Sequence, residues 1–189
     1  MAYTDLNALK TYLGIAVEAE DTLLERLIHA ASAAVDSLCH RRFAAASDET
    51  RRFDALLDTD GRSLFLDADL CALTAVVNGD GQALDAGDLL LLPRTGPPWH
   101  ELRLKRSALA WWTYDDTPEN AIAVTGRWAY SATPPADIEQ AAVRLAAFFY
   151  RQKDAPDWRW TTAATPQWRA PELPPDVLAL LAPYRRIAV

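Results

Sequence analysis

The residues that could carry chemistry in this sequence are two cysteines, three histidines and scattered carboxylates. Cys39 and His40 are adjacent, whereas zinc ligands are spaced a few residues apart and occur in at least two pairs. His29 and His100 have no partner pattern in the sequence. The sequence therefore predicts neither a metal site nor a cofactor.

The acidic and glycine-rich turns lack residues that a catalytic loop requires. Asp58-Thr59-Asp60-Gly61 is similar to the start of a calcium loop, but a third acidic position and the closing glutamate are missing, so a hairpin turn is favoured. The glycines between Asn78 and Gly87 precede no Gly-Lys-Ser/Thr, and no Gly-x-Ser-x-Gly is present. These patterns favour a binding or structural protein over an enzyme.

Trp99, Trp111 and Trp112 are the other candidates for binding chemistry, because exposed tryptophan rings stack on sugars or bases. The acidic surroundings disfavour nucleic acid. Core packing or a subunit contact is the favoured interpretation. A carbohydrate-binding module that stacks a sugar on these tryptophans is the alternative function.

The strongest helical pattern lies within Thr125–Lys153, where Thr133 is the predicted cap and Pro134 the first helical residue. Its apolar residues recur at helical spacing and predict one buried stripe. The stripe is Ile138, Ala141, Ala142, Leu145, Phe148 and Phe149.

The opposite face of this helix mixes small, aromatic and basic side chains, which suits a protein contact. We therefore expect Arg144, Ala147, Tyr150 and Arg151 to form a subunit interface.

Two further helices are predicted near the N-terminus. The first is capped by Thr4 and closed by Gly14 in the left-handed conformation. The second begins at a capping box formed by Thr22 and Glu25.

Between the N-terminal and long helices, short apolar runs alternate with turn residues and predict an antiparallel sheet, either a small sandwich or an open barrel. Val76 to Leu84, with Asn78-Gly79 between, predicts a hairpin. The candidate strands are Arg51–Leu56, Ser63–Leu66, Leu73–Val77, Leu89–Leu92, Glu101–Leu104 and Ala121–Thr125.

The predicted fold class is α+β: a small helical bundle with an inserted antiparallel β-rich subdomain and an extended C-terminal arm. Residues 1–43 supply two helices of the bundle and residues 131–154 the third. Residues 44–130 form the insertion. Residues 155–189 form an arm rich in proline and tryptophan, with a short terminal helix from Val177 to Leu181.

Charge is distributed unevenly along the chain. Residues 1–139 have a net charge of −10, whereas residues 140–189 have +3. A basic tail on an acidic body suggests docking on an acidic partner, although a short segment can also be basic by chance. No apolar run approaches the roughly 20 residues of a membrane helix, and the N-terminus lacks a secretory pattern.

The order of elements resembles the phage head–tail connector family, also called adaptor or head-completion proteins. Two N-terminal stretches carry the resemblance: YTDLNALKTYLGI, and DTLLERLIHAASAAVDSLCHRRF. NAIAVTGRWAYSATPPADIEQAAVRLAAFFYRQKD carries it in the strand, proline turn and long helix, and LPPDVLALLAPYRR at the end. The middle of the chain is similar only in layout.

The resemblance implies a structural virion protein at the head–tail junction, made in the bacterial host cytoplasm. It would form a ring, commonly of twelve copies, between the portal protein and a tail-side connector or stopper. DNA would pass through the lumen without specific binding, and no membrane would be involved. A portal-binding arm is implied at Leu173, Val177, Leu180, Leu181, Tyr184, Arg185 and Arg186. Deletion from Pro171 onward would then abolish portal binding and leave the fold intact.

Overall fold

The computed structural model describes residues 1–153 and 172–186, and the chain divides into two compact units. The helical unit comprises Met1–His40 and Pro135–Val189, and the sheet unit comprises Arg41–Pro134. Helices and antiparallel sheets are both present, which confirms the predicted α+β class.

The described part of the helical unit contains α1 (Leu6–Leu13), α2 (Asp21–Cys39), α3 (Ala136–Gln152) and α4 (Pro175–Leu181). Helix α3 contacts each of the other three. It therefore buries more than one stripe, and small residues allow the close approach. Its buried residues are Ile138, Ala141, Ala142, Val143, Leu145, Ala146 and Ala147. The predicted Phe148 and Phe149 are half-buried.

The first helix begins one residue later than a Thr4 cap requires. The Asp5 carboxylate accepts a hydrogen bond from the Ala8 amide at 2.8 Å, so Asp5 is the cap. Gly14 closes α1 with a φ of 72°, as predicted, and its amide bonds back to Lys10 and Thr11 carbonyls.

The predicted capping box of α2 is wrong. The helix begins at Asp21, so Thr22 lies inside its first turn. Glu20 occupies the cap position without a side-chain cap bond, because its carboxylate is bonded to Tyr150 and Lys153 on α3. The Asp21 carboxylate lies near the positive end of the helix dipole.

The start of α3 also differs from the prediction. The helix begins at Ala136, with Pro135 rather than Thr133 at the cap position. A proline disfavours helical geometry in the residue before it, so Pro134 cannot be the first helical residue when Pro135 follows. The second proline therefore sets the boundary.

The sheet unit consists of two four-stranded antiparallel sheets, ordered β1-β8-β4-β5 and β2-β3-β7-β6. Residues from both sheets form one hydrophobic core, the sandwich arrangement that was one of the two expected. The strands are β1 (Glu49–Phe53), β2 (Thr59–Asp60), β3 (Ser63–Leu70), β4 (Ala72–Val77), β5 (Ala83–Leu84), β6 (Leu89–Leu92), β7 (Trp99–Leu104) and β8 (Ile122–Arg127).

Strand β1 ends earlier than the predicted Leu56, because the Asp54 carboxylate accepts hydrogen bonds from the amides of Leu56 and Leu57 and turns the chain. The predicted hairpin between Val76 and Leu84 is confirmed, since these two residues pair across β4 and β5. The turn predicted at Gly61 is likewise the end of the β2–β3 hairpin.

Trp128 follows β8 and is one of the largest fully buried side chains of the sheet unit. Its indole N–H donates to the Glu49 carbonyl at 2.8 Å, and its ring lies 5.8 Å from that of Phe53. The Arg51 guanidinium also lies 4.7 Å from the Trp128 ring centre. The indole thus joins β1 to the end of β8 and to the core.

The chain enters and leaves the sheet unit through one pair of adjacent segments. The Tyr130 amide donates to the Arg42 carbonyl at 2.8 Å, and the Ser131 amide donates to the Phe43 carbonyl at 3.4 Å. The rings of Phe43 and Tyr130 lie 5.8 Å apart, and the Arg41 guanidinium lies 5.3 Å from the Tyr130 ring. This clasp of residues 41–43 and 130–131 fastens the two ends of the insertion together.

Candidate functional site

Among the described residues, no group of three His, Cys, Asp or Glu side chains is placed to hold a metal ion. Cys39 and Cys71 are both buried free thiols. Burial raises the pKa of the Cys71 thiol above its ordinary value. Within the same described residues, no helix has the length and apolar character needed to cross a membrane.

The four residues of the predicted interface on α3 differ in their surroundings. Ala147 is only 1% exposed, because the neighbouring helices cover it, so it is corrected from a surface residue to a core residue. Arg144 pairs with Asp176 on α4 at 2.6 Å. The Tyr150 hydroxyl donates to Glu20 at 2.5 Å. Arg151 is exposed.

Glu20, Tyr150 and Lys153 form a polar cluster that joins the start of α2 to the end of α3. The Lys153 ammonium donates to one Glu20 oxygen and the Tyr150 hydroxyl to the other. The hydrogen bonds from Lys153 and then Tyr150 hold the pKa of Glu20 below its ordinary value. The Glu20 carboxylate in turn raises the pKa of Lys153.

The Glu20 cluster predicts a pH dependence of stability. A carboxylate with a lowered folded-state pKa stabilises the fold above its unfolded pKa, and that contribution is lost as pH falls through the folded pKa. Glu20→Gln should therefore lose less stability than the wild type between about pH 5 and pH 3. Urea unfolding midpoints across this range measure the effect. Glu25→Gln, an exposed change on the same helix, should retain the wild-type slope, and equal slopes for all three proteins would contradict the prediction.

The C-terminal residues assigned to an arm are not all on the surface. Val177 and Leu181 are 0% and 1% exposed, and α4 packs against α3 and α2. Leu173, Leu180, Tyr184 and Arg186 are half-buried, whereas Arg185 is exposed. Trp158, Trp160 and Trp168 lie outside the described residues.

Polar contacts also fix the C-terminal segment on the helical unit. Besides the Arg144–Asp176 pair, the Tyr184 hydroxyl lies 3.2 Å from an Asp137 carboxylate oxygen. The Arg186 amide donates to the Cys39 carbonyl at 2.9 Å. Hydrogen bonding by Arg144 lowers the pKa of Asp176, so this pair is favoured above acidic pH. From Pro175 onward the described segment is thus docked on the helical unit, which corrects the expectation that the arm contributes little to the core.

The three candidate tryptophans differ in exposure. Trp112 is buried in the sheet-unit core, and its indole N–H donates to the Arg62 carbonyl at 2.9 Å. Trp99 is partly buried against the same core. Trp111 is 58% exposed, and the Arg62 guanidinium lies 4.6 Å from its ring centre. Only Trp111 among these three presents a largely open ring.

The sequence analysis did not predict that the loop around Trp111 exposes apolar side chains. Leu109 in the same loop is 99% exposed. The available signal was the run Lys105-Arg106-Ser-Ala-Leu109-Ala-Trp111, in which two basic residues precede apolar ones without helical or strand periodicity.

The chain is similar in sequence to a connector family and in fold to proteins of gene transfer agent particles. Residues 3–64, which span α1, α2 and the first strands, match the family model of the phage gp6-like head-tail connector protein. Comparison with curated protein sequences gives no match. The family match supports the predicted phage head–tail connector resemblance.

Solved structures share the fold over nearly the whole chain. A protein in the neck of an empty gene transfer agent particle, computed with C6 symmetry, is 21% identical, with a TM-score of 0.62 and coverage of 97% of this chain and 90% of that one. A protein in the virion of the native gene transfer agent particle is also 21% identical, with a TM-score of 0.55 and coverage of 97% and 89%.

Proposed function

We propose, on the premise that this chain has the sequence pattern of the phage head–tail connectors and the fold of neck proteins, that it is a structural adaptor of the head–tail junction. It assembles as a ring beneath the portal and links the DNA-filled capsid to the tail. The agreement of the family match over residues 3–64 with the neck-like fold over 97% of the chain carries this proposal.

A ring requires a head-to-tail contact, in which one surface of each copy binds a different surface of the next. The neck of the similar gene transfer agent protein was computed with C6 symmetry, and a ring of twelve copies is compatible with a six-fold operator. Arg151 on α3 is exposed and available for such a contact. Arg144 and Tyr150 already bind residues of their own unit, so their part is to position neighbouring side chains.

The C-terminal segment is proposed to bind the portal. Val177 and Leu181 anchor α4 to the helical unit, and the adjoining partly or fully exposed residues are proposed to contact the portal: Leu173, Leu180, Tyr184, Arg185 and Arg186. Ordering of this segment by its own unit lowers the entropy lost on docking. The opposite side of the ring binds a tail-side connector or stopper.

The charge of the chain suits a wall around DNA. A net charge of −7 repels phosphates within a Debye length of about 8–10 Å, so DNA passes the lumen without specific binding. The proposed location is the virion head–tail junction, after synthesis in the bacterial host cytoplasm.

Portal binding provides the test. Tyr184→Ala combined with Arg185→Glu should weaken binding to purified portal about tenfold or more, because about 1.4 kcal/mol of lost contact corresponds to tenfold in affinity. Surface plasmon resonance measures the change. Arg26→Glu, an exposed charge reversal on α2, is the matched control and should bind normally.

Native mass spectrometry of the protein mixed with portal should show this chain bound in a ring. A protein that stays monomeric, ignores the portal and binds glycans through Trp111 would instead establish the carbohydrate-binding alternative, which the exposed Trp111 ring favours.

A further inference from the structure

Residues 105–113 of the sheet unit form a fixed loop that exposes apolar side chains. We call this segment the Trp111 loop. Leu109 at 99% exposure and Trp111 at 58% are its most prominent side chains. Ala108 and Trp112, which flank this pair in sequence, are buried, so the loop combines core contacts with exposed side chains.

Arg62 clamps the inner side of the Trp111 loop. Its guanidinium donates to the carbonyls of Leu104, Lys105, Ala108 and Ala110. The bond to Ala108 is 2.9 Å long, and the same guanidinium lies against one face of the Trp111 ring. One charged group thus binds three loop carbonyls and the Leu104 carbonyl at the end of β7, and it lies against the Trp111 ring.

Asn78 holds the far end of the loop. Its side-chain N–H donates to the Trp111 carbonyl at 2.7 Å, and its side-chain oxygen accepts from the Thr113 amide at 3.2 Å. Asn78 itself is buried. The loop is therefore fixed on both sides of Trp111, and the exposure of its apolar side chains is built into the fold.

A fixed, exposed tryptophan beside a fully exposed leucine contributes little to folding. Such pairs are typical of binding surfaces, because rigid aromatic anchors lose little conformational entropy when a partner covers them. The Trp111 loop has the features of one half of a protein interface.

Charge indicates the partner. Residues 105–111 contain Lys105 and Arg106 and no acid, in a chain of net charge −7. A second copy of this chain offers a matching surface: exposed Val17 and Leu23, flanked by exposed Glu18 and Glu25. Within residues 1–153 and 172–186, neither glutamate carboxylate forms an ion pair, whereas the neighbouring Glu20 and Asp21 carboxylates pair with Lys153 and Lys10.

We propose that the Trp111 loop of one copy binds the acidic, apolar segment 17–25 of a second copy. Leu109 and Trp111 cover Val17 and Leu23, while Arg106 pairs with Glu18 or Glu25. Because the two surfaces differ, the contact is head-to-tail and repeats from copy to copy. The inference rests on the proposed ring and assigns the ring a subunit contact.

Photo-crosslinking tests the contact directly. Full-length protein with Leu109→benzoylphenylalanine is mixed with heavy-isotope-labelled protein, irradiated, and analysed by mass spectrometry. We expect mixed-label cross-links from position 109 to residues 17–25. The same photo-reactive residue at Leu57, which is 86% exposed in the same unit, is the control and should not link to that segment.

Variants test the energetics by sedimentation equilibrium of the full chain. Trp111→Ala should weaken self-association about tenfold or more, while Leu57→Ala leaves it unchanged. Arg106→Glu should also weaken it, and Glu18→Arg in the same chain should restore it, because each contact then regains an opposite charge pair.

Each outcome decides the inference. Absence of mixed-label links to residues 17–25, or association unaffected by Trp111→Ala, overturns it. If these variants associate normally and still form a ring on the portal, the proposed ring is retained and the Trp111 loop is rejected as its subunit contact. Loss of glycan binding with unchanged association would make the Trp111 loop a carbohydrate site.

Discussion

Deletion of the chain from Pro171 onward is expected to lower the free energy of unfolding by about 4 kcal/mol or more, because it removes two fully buried side chains and leaves a cavity on the helical unit. Those side chains are Val177 and Leu181, which α4 buries against α2 and α3. The Arg144–Asp176 pair and the bond from the Arg186 amide are lost as well. Urea denaturation followed by circular dichroism measures the change.

Point variants separate the loss of these buried side chains from the removal of the rest of the segment. Leu181→Ala alone should cost about 3 kcal/mol, since a core leucine is truncated. Leu178→Ala on the same helix, where the side chain is 43% exposed, should cost less than about 0.5 kcal/mol. A truncated protein with wild-type stability would show that α4 is an independent arm.

Trp128→Ala is expected to destabilise the sheet unit by about 4 kcal/mol, which would leave little of its stability. The substitution removes the indole from the core, breaks its bond to the Glu49 carbonyl and deprives Arg51 of the ring beneath it. Thermal and urea unfolding, followed by the near-ultraviolet signal, report the loss.

Trp111→Ala is the matched control for Trp128→Ala. Its ring is largely exposed and its main contact is the Arg62 guanidinium, so the cost should stay near or below about 1 kcal/mol. Equal losses in the free energy of unfolding for the two variants would contradict the prediction that the buried ring contributes more stability than the exposed one. A small loss for Trp111→Ala also makes that variant usable in the association experiment.

Local sequence patterns were sufficient to predict the elements whose own residues carry a complete apolar period or turn signal. The apolar spacing of Ile138 to Leu145 predicts α3, and the turn residues predict the two hairpins at Gly61 and Asn78. The helix starts were less predictable, because Asp5 and Pro135 compete with neighbouring residues for the same position. A choice between adjacent caps depends on tertiary contacts such as those of Glu20.

The surfaces were harder to predict than the elements. Ala147 lies opposite the predicted stripe, and its burial arises because α3 is surrounded by three helices rather than one. The burial of Val177 depends on where a helix far along the chain packs. The Arg62 clamp joins residues more than forty positions apart, and no local pattern records such a contact.

The clasp of residues 41–43 and 130–131 bears on the order of folding. The helical unit needs α3, which follows the whole sheet unit in sequence. It therefore cannot fold completely until the ribosome has synthesised the sheet unit and α3. The sheet unit is contiguous and has all its partners earlier. Once the clasp forms, it brings the segments before and after the insertion together, and α2 and α3 meet across a short effective loop. The entropy lost on closing a loop increases with loop length. The folded insertion therefore lowers the entropy cost of bringing α2 and α3 together.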